Sequence, residues 1–236
     1  LPSQPYVFFD VDDTLVDWQV SWADAFAQVA REAGAGVTPD ETLEALNLAF
    51  STFYADYLKK HSTLGDEQEF WLDYNGRIFE TIGVKQQPRK AAARVAKLLS
   101  SPQAIQLFPE VPEVLQTLSD NGARLAIVTG RPRARTDLDS LGILHYFEHL
   151  LDGLWAGEMK RVGSAQFAEA ARIAAAARTP AWHVGDSYQD DVEGARAAGL
   201  RPVLVDRRGE HPDADCPRTD DLRPLPEIIM RGEGTS

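Results

Sequence analysis

The chain has 236 residues, with 36 acidic against 24 basic side chains and a formal charge of −12, so it lacks the Lys and Arg excess needed to hold a nucleic acid polymer or an anionic membrane surface. No apolar run approaches the about 20 residues of a membrane span, and Leu1-Pro2-Ser3-Gln4-Pro5 has no signal-peptide character, although a start at Leu rather than Met suggests that a few residues have been removed. The single Cys216 cannot form an internal disulfide, which fits a reducing, cytoplasmic setting.

The first element is a strand. Tyr6-Val7-Phe8-Phe9 is aromatic or β-branched throughout and runs straight into Asp10-Val11-Asp12-Asp13-Thr14, the pattern of a buried strand opening onto a polar site. In parallel α/β sheets ligands bind at that end of the strands. Three carboxylates within four residues repel one another and need either a metal cation or solvation on a loop. From Trp18 to about Ser101 the pattern predicts four helices and no strand. The first runs from Gln19 to Glu32 and stops near Gly34 and Gly36. The second opens on Thr38-Pro39-Asp40-Glu41, with a Thr cap, Pro at the first position and Glu placed for a capping box, and runs to about Lys60. The third covers Asp66 to Ile82. The fourth covers Pro88 to Leu99 and is broken by Ser100-Ser101-Pro102. Trp22, Phe26, Phe50, Phe53, Tyr54, Tyr57, Trp71 and Tyr74 are expected in the core of this helical bundle.

After Phe108-Pro109, strand and helix alternate, which predicts a parallel sheet. Helix Val111 to Ser119 ends at Asn121-Gly122. Strand Arg124 to Val128 delivers Thr129-Gly130-Arg131-Pro132. Helix Arg133 to Leu141 stops at Gly142, and His149 to Leu151 forms a short strand. Helix Ser164 to Arg178 precedes strand Ala181 to Val184, which delivers Gly185-Asp186-Ser187. Helix Asp190 to Ala198 is capped by Gly199, and strand Pro202 to Val205 ends at Asp206. Beyond Arg207 only Leu222 to Met230 is expected to pack. The fold class is therefore α/β, a Rossmann-like parallel sheet sandwiched by helices over 1–17 and 103–236, with an inserted all-α bundle over 18–102. Because the insertion leaves directly after the acidic turn, it is expected to act as a cap.

Asp10-Val11-Asp12-Asp13-Thr14, Thr129, Lys160, and Gly185-Asp186 with Asp190-Asp191 resemble, in order and approximate spacing, the motifs of the haloacid dehalogenase superfamily. The helical insertion is similar to that of its phosphoglycolate and nucleotide phosphatases, and the resemblance covers nearly the whole chain. It implies Asp10 as a nucleophile that forms an aspartyl-phosphate. Asp12 would protonate the leaving oxygen and then deprotonate water. It implies Mg²⁺, suited to an all-oxygen site beside phosphate, held by Asp10, the backbone carbonyl of Asp12, and Asp186. Thr129, Gly130 and Lys160 would bind phosphate. Asp191, and after it Asp190, would orient Lys160 or the metal's water shell, although either also suits a helix start.

Two positions depart from the family pattern. Gly130 stands where relatives carry Asn and offers only backbone, so a phosphate or substrate contact is either missing or supplied by Arg131. Lys160 is followed by Arg161 rather than Pro, and counting back from Phe167 without a gap puts Arg161 at the Lys position; Lys160 is kept. Asp12 favours phosphate esters over organohalides, since halide leaves without a proton. The expected substrate is a small phosphomonoester metabolite. A sugar phosphomutase and a non-catalytic binding module of the same fold are the alternatives. Trp18, Tyr54, Tyr57, Trp71 and Asn75 are the candidate contacts to the leaving group. His183 is expected to be a core imidazole.

Overall fold

A computed structural model describes residues 4–62, 67–99, 101, 104–132 and 134–231. The chain divides into two compact units, Leu1–Asp17 with Leu107–Ser236, and Trp18–Gln106.

The first unit is built on a parallel sheet of six strands in the order β5-β4-β1-β6-β7-β8. Its strands are β1 (Tyr6–Phe9), β4 (Arg124–Val128), β5 (Phe147–Leu151), β6 (Ala181–Gly185), β7 (Arg201–Val205) and β8 (Arg218–Thr219). Every residue of β1 is buried, which is why it reads as a continuous apolar run. Tyr6 to Phe9 pair in register with Arg124 to Ile127 on one side and Ala181 to Val184 on the other. The chain builds outward from β1 to β4 and β5, then returns to place β6 against the opposite edge of β1. That reversal makes a switch point, where a crevice opens at the carboxyl ends of the strands. Asp10, Thr129 and Asp186 directly follow β1, β4 and β6 there.

The connecting helices are α6 (Val111–Asp120), α7 (Ala134–Ser140), α8 (Gly153–Ala156), α9 (Ala165–Ala177), α10 (Glu193–Ala197) and α11 (Leu225–Arg231). Tyr6, Phe8, Ala126 and Val128 line one core with Phe167, Ala170, Ile173 and Ala174 of α9. Small residues on α9 let it lie close to the sheet, while Phe167 supplies most of the bulk. The helix expected over Asp190 to Ala198 instead begins as a π-helical turn, Tyr188–Val192, that continues into α10. Helix α8 and strand β8 are too short to leave a periodic signal in the sequence.

The second unit contains α1 (Trp22–Glu32), α2 (Pro39–Thr52), α3 (Tyr54–Ser62), α4 (Glu67–Thr81) and α5 (Pro88–Leu99). Helix α1 starts three residues later than expected, because Ser21 accepts from the Asp24 amide as its cap. The capping box at Thr38 forms, with Glu41 returning its carboxylate to the Thr38 amide at 2.8 Å. The single helix expected from there to Lys60 is broken at Phe53. Ser51 and Thr52 turn their hydroxyls back onto the Asn47 and Leu48 carbonyls, which competes with continuation of the helix. Phe26 stacks on Phe79 at 4.9 Å, and Phe70 lies against Tyr54 and Tyr74. Phe50, expected in the core, is 51% exposed. Short strands β2 (Val16–Trp18) and β3 (Ile105–Leu107), neither expected from the sequence pattern, pair as a separate ribbon. Part of the predicted Ser100-Ser101-Pro102 break, the start of the third helix at Asp66, and Arg133 lie outside the described residues.

Candidate active site

The turn after β1 is shaped by its own backbone. Leu15 and Val16 both donate to the Val11 carbonyl, and Asp13 takes a left-handed conformation with φ 52°. Asp can occupy that region at moderate cost. Arg207, two residues beyond β7, braces the turn from outside. Its Nε donates to the Asp13 carbonyl at 3.0 Å, and a terminal nitrogen reaches the Thr14 carbonyl and the buried Glu110 carboxylate, each at 2.8 Å. The guanidinium also lies 3.5 Å from the Phe108 ring centroid. Nothing near Arg207 in the sequence signals this role, since its partners lie far away along the chain.

Asp10 is 4% exposed. Lys160 Nζ donates to it at 2.6 Å and to Asp191 at 2.5 Å. Burial pushes the Asp10 carboxyl well above its ordinary range, Lys160 pulls it back, and Asp191, Asp186 and Asp12 push it up again. Burial alone would discharge Lys160, but the Asp10 and Asp191 carboxylates outweigh it and hold the ammonium above its usual range. Asp191 is itself buried, and Lys160 and then His183 hold its carboxyl far below the ordinary range against that burial. Its Oδ1 also faces His183 Nε2 at 2.6 Å, and its Oδ2 accepts from the Ser187 amide at 3.0 Å. Gly185 is required beside it, because a Cβ there would stand 2.1 Å from the Asp191 Cγ. Asp186 is pushed up to about 7, first by burial and then by the negative charge of Asp191.

Arg131 organises the other side of the turn. It is 8% exposed, and the buried Asp137 of α7 takes its Nε at 2.8 Å and a terminal nitrogen at 2.6 Å. The remaining terminal nitrogen pairs with Asp12. The Thr129 hydroxyl, 1% exposed, accepts from the Arg131 amide at 3.2 Å. Gly130 contributes only backbone, and its carbonyl lies so close to Gly153 that a Cβ at 153 would stand 2.4 Å from it.

The structure thus gathers Asp10, Lys160, Asp186 and Asp191 at the end of β1 and β6, with Asp12 and Thr129 beside them. Arg161, the alternative to Lys160, is 69% exposed at its side chain and, among the described residues, its ion-pair partner is Glu158 at 3.9 Å. The Asp190 amide donates to the Ser187 hydroxyl, which caps the turn, and the Asp190 carboxylate takes no part in the Asp10–Asp186–Asp191 group. Within the helical unit, Tyr54 and Asn75 are buried, while Trp18, Tyr57 and Trp71 are half-buried. The Asn75 amide makes no hydrogen bond through either polar atom. His183 lies in the core, but the sequence does not reveal its contact with Asp191.

Carboxylate oxygens of Asp10, Asp186 and Asp191 lie within 4.8 Å of one another. This all-oxygen set fits a hard divalent cation. Both Asp191 oxygens already accept hydrogen bonds, so Asp10 and Asp186 are the better placed ligands.

The unit is thus an α/β fold whose parallel sheet presents a buried aspartate, a lysine and further carboxylates at its switch point. Residues 5–199 match the sequence model of the haloacid dehalogenase-like hydrolases, and the chain belongs to that family. It is 30% identical over 208 residues to haloacid dehalogenase-like hydrolase domain-containing protein 3 of Homo sapiens, covering 84% of this chain and 80% of that one. It is 29% identical over 225 residues to the glyceraldehyde 3-phosphate phosphatase of Methanopyrus kandleri, covering 94% and 91%. Among solved structures, it shares its fold with a 2-haloacid dehalogenase from Pseudomonas syringae pv. Tomato DC3000, at TM-score 0.68 and 24% identity over 97% of this chain and 99% of that one. It also shares it with a HAD phosphatase from Thermococcus onnurineus, at TM-score 0.62 and 20% identity over 96% and 97%.

Proposed function

We propose that this chain is a cytoplasmic, Mg²⁺-dependent phosphatase that hydrolyses a small phosphomonoester through an aspartyl-phosphate on Asp10. The observation that carries this reading is the pairing of two differently placed carboxylates in one turn: Asp10 buried against Lys160, and Asp12, two residues on, held by Arg131. A nucleophile needs to be fixed and desolvated, whereas an acid that serves an alkoxide leaving group needs to face it. Halide needs no such acid, so the second carboxylate favours phosphate esters.

Asp10 attacks phosphorus as the ester oxygen departs, and Asp12 delivers a proton to that oxygen. Asp12 then takes a proton from the water that cleaves the acyl-phosphate, which returns both residues to their starting states. Lys160 and the Thr129 hydroxyl bind phosphoryl oxygens, with Gly130 leaving room for them. Asp10, Asp186 and the Asp12 carbonyl would hold Mg²⁺, which supplies positive charge against the phosphoryl oxygens. The helical unit is the cap that selects the leaving group. The phosphatase names of several relatives support the reaction class, and glyceraldehyde 3-phosphate belongs in the substrate panel.

The test is phosphate release from a panel of phosphomonoesters, with Mg²⁺ and with chelator. Turnover that needs the metal, vanishes in Asp10→Asn and falls by about a hundredfold or more in Asp12→Asn is the expected result. Asp10→Asn that keeps native turnover would refute the assignment.

A further inference from the structure

His183 stands in the middle of β6 with no exposed surface. The Phe167 ring meets it edge-on at 4.9 Å. Phe167 is in turn wedged against Gly194, where an added Cβ would lie 2.4 Å from the ring. The imidazole is therefore clamped between packed neighbours and cannot turn freely. Its Nδ1 makes no hydrogen bond, while its Nε2 lies 2.6 Å from Asp191 Oδ1. An ionised carboxylate can only accept, so Nε2 carries the proton and Nδ1 is the unpaired atom. Leaving a buried polar atom without a partner carries the full desolvation penalty of that group. An apolar residue would fill this strand position without that cost, so packing alone does not account for the imidazole.

The polar contact of His183 leads to the reaction centre. Asp191 Oδ1 receives both the imidazole N–H and the Lys160 ammonium, and Lys160 reaches on to Asp10. Lys160 sits on a flexible four-carbon stem and carries a compact charge with no directional fork. Its position is set by the carboxylates that share it. Ser187 fixes one Asp191 oxygen from the backbone, and His183 fixes the other from the sheet.

We propose that His183 is a positioning residue: its Nε2–H locks Asp191, which in turn holds the Lys160 ammonium at the distance from Asp10 that phosphoryl transfer requires. The proposal rests on the phosphatase reading for its catalytic consequence, but not for its structural one.

Two substitutions separate reach from polarity. The amide nitrogen of His183→Gln can occupy the Nε2 position, whereas that of His183→Asn falls near Nδ1 and cannot reach Asp191. Turnover of p-nitrophenyl phosphate with Mg²⁺ is expected to fall about tenfold in kcat for H183N, with KM little changed, and to stay within about threefold of native for H183Q; tenfold corresponds to about 1.4 kcal/mol. In an Asp191→Asn background the two variants should no longer differ, because the pathway runs through Asp191. The Lys160 side-chain NH₃⁺ resonance, followed by NMR, should shift in H183N and remain near native in H183Q. This readout needs no activity: a native chain without turnover on any phosphomonoester would sink the phosphatase reading while the resonance still decided the positioning role. Equal behaviour of H183N and H183Q in the resonance, or an undiminished difference between them in the Asp191→Asn background, would overturn the proposal.

Discussion

Gly185→Ala tests the placement of Asp191 most directly. Gly185 closes β6, and an added Cβ would stand 2.1 Å from Asp191 Cγ and 2.4 Å from its Oδ2. Carbon atoms in contact sit about 3.5 Å apart, so the carboxylate must retreat by roughly 1 Å or more. Its Oδ1 bonds to Lys160 and His183 measure 2.5 and 2.6 Å. A retreat of that size takes them to about 3.5 Å, the edge of hydrogen bonding. Bonds to charged groups contribute about 1.5–3 kcal/mol each, and overpacking adds a loss of about 1–3 kcal/mol. Partial relaxation recovers some of this, so the expected destabilisation is about 3 kcal/mol by urea denaturation, with at least a tenfold loss of kcat. Gly36→Ala is the control: a Cβ there meets nothing within 4 Å, and stability should stay within about 0.5 kcal/mol. If Gly185→Ala matched that control in stability and kept native kcat, Asp191 would not be seated against β6 and the reasoning would fail.

Metal affinity should depend on pH through Asp186. Its pKa is raised to about 7, so the metal-free protein holds a proton there at lower pH that a cation must expel. Apparent Mg²⁺ affinity is therefore expected to fall about tenfold per pH unit below 7 and to level off above it. Calorimetry in two buffers of different ionisation enthalpy would count the released proton, and a pH-independent affinity would contradict the assignment of Asp186 as a ligand. Phe167→Ala should cost about 3–5 kcal/mol in urea denaturation, since the ring is 1% exposed and fills the space left by Gly194. A loss under about 1 kcal/mol would show that α9 closes over the gap.

Much of this was readable in the chain because the relevant information is local. The apolar run of β1 ends at Asp10, the box at Thr38 uses neighbouring residues, and the strand-helix alternation after Phe108 follows from periodicity. The break at Phe53 was harder to read, because Ser51 and Thr52 are compatible with helix until their hydroxyls turn back on it. Tertiary contacts left no trace. Arg207 braces a turn 193 and 194 residues away, and His183 looks like any other buried strand residue until the fold brings Asp191 alongside it. Lys160 and Arg161 are adjacent and equally charged; only the path of the backbone sends one into the site and the other to the surface.

The cations at the turn after β1 share one arrangement. Lys160 lies between Asp10 and Asp191, and Arg131 lies between Asp12 and Asp137. In each group one carboxylate belongs to the turn after β1, and the other is a buried anchor on a later helical segment. The anchors hold the cations, and the cations hold the turn. Each group carries one more negative charge than positive when its carboxylates are ionised, and Asp186 adds to that excess. A phosphate ester entering this site brings further negative charge, which Lys160 and Arg131 cannot neutralise while two carboxylates share each of them. The balance calls for an added positive charge beside Asp10 and Asp186, where the all-oxygen donor set fits a hard divalent cation.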